Sequence, residues 1–455
     1  MKPKPKDIGL SLLSGVLALV AAVSPTRGTD NKPNILHIVA DDLGWNDVGF
    51  NGCADIKTPN VDKLAASGAK LSQFYVQPLC TPTRAALMTG RYPFRYGLQT
   101  AVILPVSTYG LAADEWLMPQ CLKEAGYKTA IIGKWHLGHA DKKYWPKQRG
   151  FDFQYGPLMD KLDYFTHKED GVLDWYQDNK PLKEEGYTTT LIGNQAVRLI
   201  EEHNTSTPLY LYLTFNAPHT PYQAPEEYID RYKNIDEPTR RTYAAMVACL
   251  DDQIGRVVAA LEKKKMRDNT LILFHSDNGG ARSAMFAGVA TDVPKVKIPC
   301  DNGPYREGKG TLYEGGTRVC ALANWSGHIR AGSTVDAMIH AVDIYPTLAK
   351  LAGASTAKCK PLDGMDVWQT ISEGKPSPRT EIVYNIEPFR GAVRQGDWKL
   401  IWRTPPPSAL ELYNIPQDPS EKNNVVREHP DKVAELQKRI EELTRVSAKP
   451  LFRVE

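Results

Sequence analysis

The segment Cys80-Thr81-Pro82-Thr83-Arg84, continuing through Ala85, Ala86, Leu87 and Met88, sets a thiol at the start of a helix-forming run. Pro82 suits a first helical turn, where its missing N–H costs nothing. A Cys80 side chain at that N-terminus meets unpaired N–H groups and the positive end of the helix dipole, a place that favours an anion. Arg84, one turn further on, adds a permanent positive charge. Two other clusters, Asp41-Asp42 and Asp277-Asn278, offer only oxygen donors, which select calcium or magnesium over zinc or copper. Taken singly, the first pair also reads as a helix cap and the second, continuing into Gly279-Gly280, as a turn. Taken together they point to a metal, because three carboxylates brought close repel one another without a cation.

These residues must be carried to one place by the chain. Apolar runs at residues 35–40, 129–132, 209–215 and 271–274 read as buried parallel strands, with helical patterns between them. The clearest helix covers residues 243–261, where Val247, Leu250, Ile254, Val257, Val258 and Leu261 recur at helical spacing. Alternating strands and helices predict an α/β fold with a large, mostly parallel central sheet flanked by helices. Each strand is followed by polar residues: Asp41 and Asp42, Lys134 and His136, His219, and Asp277 and Asn278. Ligands of open α/β sheets bind at the carboxyl ends of strands, so four strands aim their polar ends at one crevice. Beyond about residue 360 the pattern changes. Short strands at 381–386, 391–394 and 398–402, a break at Pro405-Pro406-Pro407 and a closing helix at 431–445 predict a smaller α+β subdomain. The expected division is residues 1–24 as an export signal, 30–360 as a catalytic α/β domain and 361–455 as the subdomain.

The export reading rests on Lys2, Lys4 and Lys6, the apolar stretch from residue 8 to 23, and the small residues Ala21, Ala22 and Ser24. A short membrane anchor is the alternative, but the stretch is marginal for a span. A secreted or otherwise exported protein (periplasmic, extracellular or lysosomal), without stable membrane insertion after cleavage, is expected. Asn204-Thr205-Ser206 and Asn324-Trp325-Ser326 match the glycosylation pattern, which also arises by chance. With 56 basic and 53 acidic residues, a net charge of +3 supplies no global field for a nucleic-acid partner. The seven cysteines are an odd number, and none shows zinc-site spacing. Cys249, within the helical pattern, reads as a small buried hydrophobe.

The motif Cys80-x-Pro82-x-Arg84 resembles the signature of the type I, formylglycine-dependent sulfatases of the alkaline phosphatase superfamily. The resemblance continues in Gly133-Lys134-Trp135-His136-Leu137-Gly138, in Ser276-Asp277-Asn278-Gly279-Gly280, and in Gly308-Lys309-Gly310 before Glu314-Gly315-Gly316-Thr317-Arg318. Glu411-Leu412-Tyr413-Asn414, then Asp418-Pro419 and Glu421, extend it to the tail, and the whole is similar to the arylsulfatase B-like branch. The resemblance implies that a formylglycine-generating enzyme oxidises Cys80 to formylglycine, whose hydrate attacks sulfur and later collapses to release sulfate. It implies one divalent cation, calcium first and magnesium second, on Asp41, Asp42, Asp277, Asn278 and the group at Cys80. Arg84 would hold the hydrate, Lys134 and Lys309 would bind sulfate oxygens, His219 would protonate the leaving oxygen, and His136 would act as base for collapse. His139 is a candidate substrate-pocket residue, a structural role being equally open. The expected substrate is a sulfated small molecule or saccharide, attacked in exo fashion, with aryl sulfates also cleaved. A phosphoester or phosphonate monoester hydrolase of the same superfamily, or an inactive binding relative, is the alternative.

Overall fold

Strand β1 (Asn34–Ala40) is buried from Ile35 onward and lies near the middle of the central sheet. It pairs in parallel with β3 (Leu209–Thr214) on one side and β4 (Thr270–Ser276) on the other, and β3 pairs in parallel with β2 (Lys128–Gly133). These four strands correspond to the four apolar runs of the sequence. In this computed structural model the described residues are 32–282, 298–404 and 408–451, together with Met1 and Pro3. Apart from those two residues, the segment expected to be an export signal lies outside them, as does the Pro405-Pro406-Pro407 break.

The sheet has ten strands, in the order Ser333–Val335, Ala69–Leu71, Ala321–Asn324, β4, β1, β3, β2, Phe153–Gly156, Tyr176–Gln177 and Lys180–Pro181. The centre is parallel as expected, and antiparallel pairs flank it: Ala321–Asn324 against β4, and Tyr176–Gln177 against Phe153–Gly156. Alternate residues of each strand face opposite sides. Leu36, Ile38, Leu211, Leu213, Ile272 and Phe274 form one core with helix Thr188–Glu202 and helix α2 (Pro238–Lys263). Ile35, Val39, Tyr210, Tyr212, Leu271 and Leu273 form the other with α1 (Cys80–Thr89) and α3 (Ala341–Leu351). The periodic stretch at 243–261 is the interior of α2, whose N-terminus is extended by Pro238 and capped by the Glu237 side chain.

The carboxy-terminal region holds a four-stranded antiparallel sheet, β5 (Glu381–Ile386), β6 (Arg390–Gln395), β7 (Trp398–Arg403) and β8 (Ala409–Asn414), in sequential order. The last strand was not anticipated from the sequence. Helix α4 (Pro430–Arg445) covers one face through Leu436, Ile440 and Leu443. The other face, with Ile382, Tyr384, Ile401 and Tyr413, packs on Tyr75, Leu312 and Tyr313.

Beneath that contact, the fully buried Lys399 ammonium lies 3.0 Å from Glu314 Oε1 and 2.8 Å from Glu421 Oε1. Tyr384 and Tyr75 hydroxyls donate to the two oxygens of Glu314 at 2.6 and 2.8 Å. The Glu314 N–H donates to Glu421 Oε2 at 2.7 Å. A buried charge is tolerated only with its partners, and removing one leaves an uncompensated ion. Lys399→Met is therefore expected to destabilise the protein by about 3–5 kcal/mol, read as a lower denaturant midpoint; an unchanged midpoint contradicts this account of the contact.

Candidate active site

The site is assembled from the carboxyl ends of the four central strands and the N-terminus of α1. After β1, the Asp41 N–H donates to Ala217 O at 3.2 Å and Asp42 takes a left-handed backbone, φ 62°. At the end of β2, Gly133 has φ 108°, and a Cβ there would stand 1.7 Å from Thr214 O, so only glycine lets the chain turn beside β3. Lys134 N–H then donates to Thr214 O at 2.9 Å. His136 is also left-handed, φ 58°, a costly conformation for a residue with a side chain. After β4, Asp277 N–H donates to Ala40 O at 3.0 Å.

Cys80 opens α1, as the Pro82 signal implied, and is fully buried. Its Sγ lies 3.6 Å from Asp41 Oδ1. Arg84, also fully buried, donates through Nε (3.1 Å) and Nη2 (2.8 Å) to Asp277 Oδ2 and through Nη1 (3.0 Å) to the Lys134 carbonyl. Lys134 Nζ is 2.5 Å from Asp41 Oδ2, and Lys309 Nζ is 2.8 Å from Asp42 Oδ2. Burial alone would favour loss of the proton from all three cations. Asp277 outweighs it for Arg84, Asp160 and Asp41 for Lys134, and Asp42 for Lys309, so each is held above its ordinary value. Burial raises the Cys80 thiol well above its usual value, against the pull of Lys134 and Lys309.

The two histidines present different nitrogens. The Ile103 carbonyl, 3.0 Å from His136 Nε2, can only accept, which places a proton on Nε2 and leaves Nδ1 as the acceptor. Burial lowers His136 to about 3, so the ring is neutral near pH 7. Ligand atoms of Cys80, His136 and Asp160 lie within 4.8 Å of one another. His219 uses Nδ1 toward the Thr220 carbonyl at 2.6 Å, so Nε2 is the nitrogen facing the cluster, 3.6 Å from Asp42 Oδ2 and 3.7 Å from Asp160 Oδ1.

All the residues singled out at strand ends, together with Cys80, Arg84 and Lys309, thus converge. His139 makes no polar contact with them among the described residues; its ring reaches the Pro105 carbonyl at 2.9 Å. Asp160 was missed. It bonds Lys134 Nζ and lies 3.5 Å from His136 Nδ1, yet it sits in an irregular stretch after Phe153–Gly156 with no motif around it. Of the two glycosylation patterns, Asn204 is exposed, whereas Asn324 is buried in a strand with its amide on Leu64 O and Ser67 Oγ. Asn324 is therefore no acceptor in the folded chain. All seven cysteines are unbridged, and Cys249 is buried in α2.

The donor set suits a hard divalent cation. Asn278 Oδ1 is buried without a hydrogen-bond partner, while its Nδ2 donates to Asp42 Oδ1 at 2.7 Å. Asp41, Asp42, Cys80 and His219 offer ligand atoms within 4.8 Å of one another. An acceptor oxygen left unpaired among carboxylates fits a cation and not another acceptor.

Residues 33–354 match the Sulfatase family, and residues 307–448 match the N-sulphoglucosamine sulphohydrolase C-terminal family. Arylsulfatase J of Mus musculus is 39% identical over 85% of this chain, a match that spans 64% of that protein's length. N-acetylgalactosamine-6-sulfatase of Mus musculus is 33% identical over 86% of this chain and 75% of its own. Among solved structures, Ps i-CgsB in complex with k-i-k-neocarrahexaose is 35% identical with a TM-score of 0.83, covering 93% of this chain and 95% of that one.

Asp277 accepts from Arg84 and, with Asp41, Asp42 and Asn278, is proposed as a cation ligand. Asp277→Ala is expected to leave bound calcium or magnesium well below one per chain by plasma emission. Turnover should fall by at least about 100-fold. Full metal content in this variant contradicts the ligand assignment.

Proposed function

The chain belongs to the sulfatase family of the alkaline phosphatase superfamily, and on that premise we propose that it hydrolyses sulfate esters of carbohydrates, and aryl sulfates as well, through a formylglycine made from Cys80. The observation that carries this reading is the ring of cations about residue 80: Arg84, Lys134 and Lys309, all buried, converge beside a helix N-terminus. Such a seat favours a small oxyanion, and two lysines suit sulfate oxygens as point charges. The printed names of the relatives, N-acetylgalactosamine-6-sulfatase and a structure holding an oligosaccharide, support a sugar substrate.

A buried thiol held protonated is a poor nucleophile. Formylglycine at the same position supplies an aldehyde hydrate, one hydroxyl of which attacks sulfur while the other lets sulfate depart with return of the aldehyde. Because Cys80 is fully buried, the formylglycine-generating enzyme must reach it before folding closes over it. A divalent cation, calcium in the first instance, held by Asp41, Asp42, Asp277, Asn278 and the group at residue 80, supplies positive charge against the oxygens that become negative.

The chain's own groups do the rest. Arg84 is fixed by Asp277 and the Lys134 carbonyl and orients the group at residue 80. Lys134 and Lys309 hold the transferring sulfuryl oxygens. His219, whose Nδ1–H donates to the Thr220 carbonyl, delivers a proton from Nε2 to the leaving oxygen when the ring carries both protons. His136, neutral and with Nδ1 open, takes the proton when sulfate is released. Exo action, on a sulfated unit at a saccharide end, is part of the same proposal. A comparison of aryl sulfate with aryl phosphate turnover on one preparation separates this reading from a phosphoester hydrolase; faster phosphate turnover overturns it.

General acid help matters most for a basic leaving group. General acid catalysis contributes roughly 10²–10⁴ in rate. His219→Ala should therefore lower sulfated-sugar turnover much more than that of an activated aryl sulfate, whereas His136→Ala should show a loss nearly independent of the alcohol. Turnover of both variants across leaving groups of graded basicity checks this, and an equal loss across the series for His219→Ala removes it as the acid.

A further inference from the structure

The assigned chemistry leaves Asp160 without a task. Its side chain is 18% exposed, whereas those of Asp41, Asp42 and Asp277 are 0%, 3% and 0% exposed. It is thus the carboxylate of the cluster that solvent, or a ligand at the mouth, reaches. Oδ1 is occupied by the bond to Lys134 Nζ. Among the described residues no hydrogen bond reaches Oδ2.

The turn that presents this carboxylate is built and fixed. Two further buried acids hold its backbone: Asp174 accepts from the N–H groups of Leu158 (3.1 Å) and Met159 (2.8 Å), and Glu169 Oε2 accepts from Asp160 (3.2 Å) and Lys161 (3.1 Å). Asn216 Nδ2 donates to the Asp160 carbonyl at 3.4 Å. A carboxylate anchored in this way, with one oxygen held and the other open, is a preorganised acceptor.

Its position relative to His219 sets what it can accept from. The proton donor Nε2 must come within about 3 Å of the leaving oxygen, and Asp160 Oδ1 lies 3.7 Å from that same nitrogen. A leaving oxygen on His219 therefore stands beside Asp160. In a sugar, the oxygen on the neighbouring carbon is about one hydrogen-bond length from the leaving oxygen, which brings it onto the carboxylate.

We propose that Asp160 is a specificity-determining residue: its carboxylate accepts a hydrogen bond from a hydroxyl vicinal to the sulfate ester and turns away sugars with a second anionic group at that carbon. The assignment rests on the carbohydrate-sulfatase reading. A charged acceptor paired with a hydroxyl is strong, and when the hydroxyl is missing the acceptor loses water without gaining a partner. A sulfate or carboxylate in its place meets like charge.

The test uses matured enzyme and pyranoside monosulfates in three forms: both neighbouring hydroxyls free, each neighbour in turn reduced to the deoxy position, and each neighbour in turn sulfated. The readout is the ratio of kcat/KM between substrates within one preparation, so a general loss of activity cancels. The wild type is expected to prefer the free hydroxyl over deoxy at one neighbour by about 10- to 100-fold, and to handle the second sulfate at that position less well again. Asp160→Ala should bring the hydroxyl-to-deoxy ratio to near one, and Asp160→Asn should relieve the discrimination against the second sulfate. Ratios near one in the wild type at both neighbours, or ratios undiminished in both variants, overturn the assignment. If neither variant folds, the wild-type series alone decides. Turnover of aryl sulfate with none of the saccharides instead overturns the carbohydrate reading, and this assignment with it.

Discussion

Burying like charge at the ends of parallel strands is the constraint on which this structure depends. Asp41, Asp42 and Asp277 follow adjacent strands and are almost wholly out of water. Each is balanced by a cation from a different part of the chain: Arg84 from α1, Lys134 from the end of β2, and Lys309 from the segment tied to the carboxy-terminal sheet. With Asp160 included, four carboxylates face the three cations Arg84, Lys134 and Lys309. This pairing of carboxylates with cations is why the cluster tolerates burial.

Holding these groups in register takes backbone that would not otherwise adopt its shape. Asp42 and His136 are both left-handed without being glycine, and both adjoin a strand end where the chain must turn sharply into the site. Such strain persists only where surrounding contacts enforce it, and the parallel ladder through β1 supplies them. Lys309 has no strand beneath it. Its neighbour Gly310 donates its N–H to Pro78 O at 2.8 Å and accepts at its carbonyl from Arg390 Nη1 at 2.8 Å. Together with the Glu314–Lys399–Glu421 group, this makes the carboxy-terminal sheet the support for Lys309, one of the two lysines proposed to bind sulfate.

The central fold was readable because the four core strands are continuous apolar runs, the pattern of strands covered on both faces. The polar residues that follow them were readable for the same reason, since each interrupts such a run. The outer strands Ala69–Leu71, Tyr176–Gln177, Lys180–Pro181 and Ser333–Val335 have only two or three residues each, too few for a period to show. β8 was missed although Glu411, Leu412 and Tyr413 were noted as a motif, because Leu410 and Glu411 face the two sides in the reverse of the usual sense, the leucine exposed and the glutamate buried. Asp160 was illegible because its place is set by tertiary contacts alone: Asp174 and Glu169 fix its turn, and nothing in the local sequence marks it. Asn324 shows the opposite failure, a local pattern overruled by burial.

The central claim is that this site hydrolyses sulfate esters through residue 80 in oxidised form. Mass spectrometry of the peptide containing Cys80, on preparations ranging from fully thiol to fully matured, combined with sulfate-ester turnover of each, tests it most directly. The account predicts turnover proportional to the fraction carrying the aldehyde or its hydrate, and none from the thiol form. Full turnover from protein whose Cys80 is wholly a thiol would contradict it.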